Sequence, residues 1–397
     1  MRRTFRTVVA AALGAALLLP GLSLGAPSAA AALPAWASSI EKLIGTKSMS
    51  VAVGDGGTFL YRHDPATARP PASVQKLLMA MPLLAALGPS ATIPTDAAGN
   101  LRSDGSVGNL WVIGGGDPRT GPGPMRALAQ ALVDAGVTKV TGRILGDTAT
   151  FSRDWWAIGW KTNFPDDEIA LPTALTFRRN RLSNGTPITD PELRAAGALT
   201  TALENLGVDV VGAPSSGSAP TDLPVIASVQ SRPVSSLLAK ILGLSDNFGA
   251  EVLGKTLAFA SGIRPATISA GAGVAKTYAA DLGVTVSAYD SSGLSSSNRL
   301  TAAGLVALLA DAEMQPWGLA FQDALPMGGE GTLANRLSDV RVHAKTGTID
   351  GVSALAGWVW SSTNGTWLEF VILSQGLAKT TAVSIEDQIV RILAESA

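Results

Sequence analysis

The chain has 397 residues, and its 30 Lys plus Arg against 31 Asp plus Glu leave it almost neutral. A single hydrophobic core stops growing near ~250–300 residues, so this length implies more than one domain. Balanced charge gives no footprint for nucleic acid or an anionic membrane, and a 46% hydrophobic content excludes a disordered chain. The absence of cysteine removes disulfides, thiolate nucleophiles, iron–sulfur clusters and Cys-ligated zinc. Only His63 and His343 are available for imidazole chemistry, which rules out a three-His metal site. No metal or cofactor is expected.

The N-terminus reads as an address. Arg2, Arg3 and Arg6 precede an apolar run, Val8 to Leu19, that is too short to span a bilayer comfortably. Small residues from Gly25 to Ala31 follow. This is the pattern of an export signal over residues 1–31, cut near Ala31. It places the rest of the chain outside the cytoplasm, in the cell envelope or secreted.

Residues 36–45 read as a short helix. Ser48 to Val53 alternates, Gly54 to Gly57 turns, and Thr58 to Tyr61 continues, which is a hairpin signature. The C-terminal end repeats that logic. Arg341 to Thr348, Val352 to Trp360 and Thr366 to Leu373 are three strands joined by turns at Asp350-Gly351 and Ser361 to Gly365. Ala382 to Glu395 then reads as a helix. Two N-terminal and three C-terminal strands predict one five-stranded antiparallel sheet flanked by helices, so residues 32–88 and 231–397 build one discontinuous domain. Residues 231–260 and 299–314 are helical in pattern, with Thr301 as an N-cap. Residues 89–230 hold mixed short elements. Within them Leu110 to Ile113, Gly123 to Ala135 and Lys139 to Leu145 form a strand, a helix and a strand. This stretch reads as an inserted, smaller α/β domain, and Gly212 to Pro220 reads as a surface loop.

Two motif matches carry no chemistry. Gly21 to Gly25 fits G-x-S-x-G but lies in the export signal. Gly249 to Thr256 fits the phosphate-binding pattern G-x-x-x-x-G-K-T, yet it sits inside a run of helix formers whose amides are already committed.

Three weak patterns together carry more. Ser73-Val74-Gln75-Lys76 follows the Pro70-Pro71 break and opens a helical pattern. It places a lysine one turn from a serine on the same face. A serine hydroxyl needs a base, and a desolvated lysine can serve as one. Ser39 to Lys42 has the same spacing but lies on a polar helix. Pro82 is expected to kink or end the nucleophile helix. Ser245-Asp246-Asn247 falls between two helical runs, and an extended connection would point Ser245 and Asn247 the same way. Ser296 to Asn298 and Ser362 to Asn364 share its pattern within turn-rich segments. Lys345-Thr346-Gly347, with Thr348 next, lies on a strand. There a cation and hydroxyls can hold a carboxylate, and the glycine removes a side chain where substrate must approach.

The ordered set S-x-x-K, S-D-N and K-T-G resembles the low-molecular-mass class C penicillin-binding proteins, the serine D-alanyl-D-alanine carboxypeptidases and endopeptidases. Pro71 to Leu78, Gly115 to Pro118, Ser245 to Glu251, Asp290 to Leu294, Asn298 to Thr301 and Gly331 to Leu333 extend the likeness over nearly all of the exported chain. The interval from Ser73 to Ser245 separates it from class A β-lactamases, as does the lack of E-x-x-L-N. The insertion nevertheless looks shorter than is usual for the family.

The resemblance implies an α/β (α+β) fold with a penicillin-binding, serine β-lactamase-like transpeptidase domain. It implies that Ser73 attacks a D-Ala-D-Ala carbonyl with Lys76 as base, and that Ser245 and Lys345 relay the proton. Lys345, Thr346 and Thr348 would hold the terminal carboxylate and Asn247 the substrate amide, with Gly347 also counted among the substrate-binding residues. The backbone N–H groups of Ser73 and Thr348 would form the oxyanion hole. The implied partners are peptidoglycan stem peptides and β-lactams. A β-lactamase or esterase on this scaffold, a non-catalytic wall-binding protein, and a hydrolase using His343 or His63 are the alternatives. Trp155, Trp156 and Trp160 read as partly buried core residues rather than a sugar platform.

Overall fold

The computed structural model describes residues 33–397. The segment 1–31, read from the sequence as an export signal, and the Gly21 to Gly25 match lie outside the described residues. Helix α1 (Ala35–Ile44) leads into the hairpin β1 (Met49–Asp55) and β2 (Thr58–His63). Its turn places Gly56 and Gly57 at φ +53° and +85°, where a side chain would be strained. A 3-10 turn at Ala72–Val74 then feeds α2 (Gln75–Leu87).

A run of mixed elements follows: β3 (Pro94–Ala98), β4 (Ser106–Val107), β5 (Leu110–Gly114), α3 (Pro122–Asp134), β6 (Lys139–Asp147), α4 (Phe164–Asp167), α5 (Pro191–Glu204), β7 (Asp209–Gly217) and β8 (Val225–Gln230). Helices α6 (Val234–Leu244), α7 (Asn247–Ala260), α8 (Ile268–Asp281), α9 (Ala302–Met314) and α10 (Gly318–Asp323) come next. The strands β9 (Val342–Ile349), β10 (Val352–Ser361) and β11 (Thr366–Gln375) and helix α11 (Lys379–Ser396) close the chain.

The five-stranded sheet runs β2-β1-β11-β10-β9, antiparallel throughout. Alternation along the strands serves two cores at once. Val51, Val53, Phe370 and Ile372 face Ile40, Ile44, Ile389 and Leu393 of the terminal helices. Ala52, Ala354, Ala356, Val371 and Leu373 face α2, α6 and α9. On that second face the 3-10 turn at Ala72–Val74 lies against β9 and β10, and α9 lies against β1 and β11. Helix α2 is buried on all sides, from Gln75 to Leu84, which suits a central helix rather than an amphipathic one. Of the two outcomes expected at Pro82, a kink or an end, the end does not occur, and the helix runs on to Leu87. Burial of Leu83 and Leu84 beyond the proline outweighs the one hydrogen bond it removes.

The second sheet lies within 94–230. Strand β6 pairs in parallel with β4, β5 and β7, while β3 joins β5 and β8 antiparallel. The predicted strand–helix–strand unit is β5, α3 and β6. The expected loop at Gly212 to Pro220 is instead largely strand β7. Gly212 permits this, since a Cβ there would meet the Gly142 carbonyl oxygen at 2.7 Å. The backbones pair closely because neither residue carries a side chain.

Residues 151–174 pack differently. Phe151, Trp160 and Ile169 share a cluster with Phe248, Val252, Ile268 and Leu294. The phosphate-loop look-alike lies wholly inside α7. Its Lys255 is buried and donates to the carbonyls of Ser152 and Pro172, each at 3.0 Å, and pairs with Asp154 at 2.7 Å. It staples this segment to α7 and cradles no phosphate.

Candidate active site

Ser73 sits at the top of α2, reached through Pro71 and an Ala72 held at φ +48°. Two glycines enforce this turn. A Cβ on Gly293 would lie 1.9 Å from the Ala72 carbonyl oxygen, and one on Gly347 would lie 2.6 Å from the Pro71 carbonyl oxygen. Gly347 was expected to clear space for substrate; it clears space for the nucleophile turn instead. The strand bearing Lys345 therefore presses directly on the segment bearing Ser73.

Lys76 is fully buried one turn along, with Nζ 3.0 Å from Ser73 Oγ, 2.8 Å from Asn247 Oδ1 and 2.6 Å from the Ser292 carbonyl oxygen. Every acceptor is uncharged. Burial without a bonded carboxylate lowers the lysine to about 8, and more distant carboxylates, Asp290 first, offset only part of that. The Ser292 carbonyl is aimed by a tight loop. Glu251 Oε1 accepts from the Ser291 and Ser292 amides at 2.9 and 2.7 Å. Asp290 accepts from the Gly293 and Ser295 amides and from Trp160 Nε1, at 3.0, 2.7 and 2.7 Å. Desolvation, reinforced by Asp290, pushes Glu251 up to about 8.

Lys345 is the second buried cation. Its Nζ lies 3.0 Å from Ser245 Oγ and 2.7 Å from the Thr346 carbonyl oxygen. Burial first, then the charges of Lys76 and Lys379, hold it well below the usual lysine range. Ser245 and Asn247 do meet the cluster, but not through an extended connection. Ser245 adopts a left-handed C-cap after α6, at φ +55°, and Asn247 is the first residue of α7. Asp246 between them accepts from Gly249 N and from both arms of Arg179, so the turn is capped and anchored.

Strand β9 is the sheet edge. The Ala344 N–H points outward to the Pro326 carbonyl at 3.1 Å. Alternation then puts the N–H groups of Thr346 and Thr348 on that same outer edge. Thr348 is exposed there.

The histidines stand apart. His343 packs edge-on to Trp367 at 5.5 Å, and His63 pairs with Glu41 at 3.1 Å. Neither contacts Ser73, so an imidazole base has no geometry here. Trp160 is buried on Asp290, whereas Trp156 is 47% exposed, so only part of the tryptophan trio is core.

The chain matches the D-Ala-D-Ala carboxypeptidase 3 (S13) family over residues 31–180 and 161–396. It belongs to that family. This S13 member is a serine peptidase. Its relatives include the D-alanyl-D-alanine carboxypeptidase of Actinomadura sp. strain R39, 27% identical over 86% of this chain and 80% of that one. Another is carboxypeptidase DacB of Mycolicibacterium smegmatis, 30% identical over 84% of this chain and 77% of that one. Penicillin binding protein 4 of Haemophilus influenzae shares the fold, with a TM-score of 0.79 at 21% identity over 90% of this chain and 99% of that one.

Sequence reasoning missed three contributors to the S13 site. Glu168, from the inserted stretch, accepts from Asn247 Nδ2 at 3.0 Å. Lys379, at the start of α11, donates to Ser353 Oγ at 2.7 Å and adds positive charge beside Lys345. The Ser292 carbonyl is a backbone group, and the only signal for it was the Asp290 to Leu294 motif.

Proposed function

We propose that this chain is an exported serine D-alanyl-D-alanine carboxypeptidase, acting on peptidoglycan stem peptides through an ester on Ser73. The observation that carries this is a serine 3.0 Å from a fully buried lysine with no bonded counter-ion. Ser73 Oγ attacks the penultimate D-alanine carbonyl and passes its proton to neutral Lys76. The oxyanion is met by the backbone N–H groups of Ser73 and Thr348. The departing amine takes a proton through Ser245, which Lys345 hydrogen-bonds. Lys345, Thr346 and Thr348 hold the terminal carboxylate, and Asn247 Nδ2 donates to the substrate carbonyl once Glu168 is displaced. Water then cleaves the ester. β-Lactams acylate the same serine and stay, because the opened ring keeps its leaving group attached.

Residues 89–230 serve as an accessory domain. An extracytoplasmic location rests on the arginine-led N-terminal signal; among the described residues no helix is long and apolar enough to cross a membrane. The test is release of D-alanine from a peptide ending in D-Ala-D-Ala. Release by the wild type and not by Ser73→Ala is expected. Turnover of a β-lactam or a simple ester without D-alanine release would move the assignment to a β-lactamase or esterase.

A further inference from the structure

The chain is nearly neutral, yet one face gathers five cations around a single carboxylate. A cavity of about 270 Å³ is lined by Arg119, Arg178, Arg179 and Lys240 over a floor of Pro118, Thr120 and Ile241. A second, of about 450 Å³, adjoins it through the shared Arg119 and Lys240 and adds Arg232. Together they make one basic trough across the loop after β5, the turn at Arg178 to Asn180, and α6. Its one lining carboxylate, Asp246, is already committed to Arg179 and to the cap of α7. Among the described residues, Arg119, Arg178, Arg232 and Lys240 form no ion pair.

Like charges converging on one cavity raise the energy of the folded state, and a seated oxyanion relieves that cost. Guanidinium forks match carboxylate and phosphate oxygens two at a time. The backbone is bent to present them: Arg178, Arg179 and Asn180 are three successive residues at positive φ, 51°, 58° and 53°. Such strain persists only where surrounding structure enforces it. Here Asn180 enforces it, fully buried, accepting from Phe177 N at 2.7 Å and donating to the Leu171 carbonyl at 2.7 Å.

Position gives the trough its meaning. Asp246 lines it, and its chain neighbours Ser245 and Asn247 line the catalytic cleft. One three-residue segment therefore separates the two. We propose that the trough is an exosite for oxyanionic groups of the wall polymer that carries the scissile peptide. This rests on the carboxypeptidase reading. The shared chemistry is a carboxylate or phosphodiester oxygen, from stem peptides or from phosphodiester-linked wall chains.

The test is sedimentation of the full chain with purified cell-wall sacculi, beside the benzylpenicillin acylation rate. Wild type should co-sediment at low salt and be released as salt rises. The double variant Arg119→Gln/Lys240→Gln should bind at least tenfold more weakly and acylate at the wild-type rate, which also shows that it is folded. Sacculi stripped of phosphodiester-linked chains by hydrofluoric acid identify the source. Retained binding assigns peptide carboxylates, and lost binding assigns phosphodiesters. A double variant that acylates normally and binds sacculi as tightly as wild type overturns the exosite. Salt-sensitive wall binding that needs Arg119 and Lys240, without acylation of either protein, sustains the exosite and defeats the carboxypeptidase reading instead.

Discussion

Glu168 Oε2 accepts a hydrogen bond from Asn247 Nδ2 at 3.0 Å, so a carboxylate from the inserted stretch occupies the amide that we propose holds a substrate carbonyl. Asn247 Oδ1 is held by Lys76 at 2.8 Å, so the amide cannot turn away to find another donor position. On that proposal, substrate displaces Glu168. Glu168→Ala should raise second-order acylation by benzylpenicillin, by up to about tenfold for a lost contact of ~1.4 kcal/mol. The gain should appear as tighter initial binding with little change in the limiting rate. Stopped-flow acylation across a β-lactam concentration series reads both, and slower acylation in Glu168→Ala would contradict this placement.

The pH dependence of acylation follows from Lys76. The lysine must be neutral to take the Ser73 proton, and burial lowers it to about 8. Acylation should rise with pH, pass its midpoint near 8 and then level off. Lys76→Ala should lose about 10²–10⁴-fold, the usual share of a positioned base. Lys76→Arg should be as impaired, since a guanidinium does not deprotonate in this range. A flat profile from pH 6 to 10 would remove Lys76 from the base role.

Stability should also move with pH, in two opposed stages. Glu251 is raised from 4.5 to about 8, so the folded state binds more protons than the unfolded state between those values. Stability therefore falls as pH climbs through that window. Lys76 is lowered from 10.5 to about 8, so the folded state binds fewer protons above 8, and its contribution rises with pH there. Glu251→Gln keeps an acceptor for the Ser291 and Ser292 amides and should remove the Glu251 share of the first stage, leaving that of Glu369, which burial raises to about 7. Urea midpoints from pH 5 to 8 for both proteins check the sign.

The glycine clamp gives a prediction without charge. Gly293→Ala drives a Cβ to within 1.9 Å of the Ala72 carbonyl oxygen at a residue with φ +84°. Overpacking of this kind costs about 1–3 kcal/mol, and the turn that places Ser73 must shift to relieve it. A lowered melting temperature together with slowed acylation is expected. Unchanged acylation in a folded Gly293→Ala protein would show that the clamp does not position Ser73.

The legible parts of this molecule were those written in local spacing. Ser73 and Lys76 lie three residues apart on one helical turn, and that spacing alone predicts their contact. Period-two alternation and Gly-Asp turns marked β1, β2, β9, β10 and β11, and a short sheet built from both chain ends followed. What local spacing does not carry was missed. Pro82 marked a possible end of α2 that tertiary burial carries on to Leu87. The small residues of β7 looked like a loop because pairing with β6, not side-chain pattern, makes it a strand. Glu168 reaches Asn247 across 79 residues of chain, and no motif announces it. Gly347 was legible as a close-approach glycine, but what approaches it is the Pro71 carbonyl.

The proposed chemistry turns on Ser73 being an acylatable nucleophile activated by Lys76. The direct test is intact mass followed over time after mixing residues 32–397 with benzylpenicillin. One covalent adduct per chain is expected, absent in Ser73→Ala and formed far more slowly in Lys76→Ala. No adduct at any time, transient or stable, would contradict it and leave a protein that keeps the fold without the chemistry.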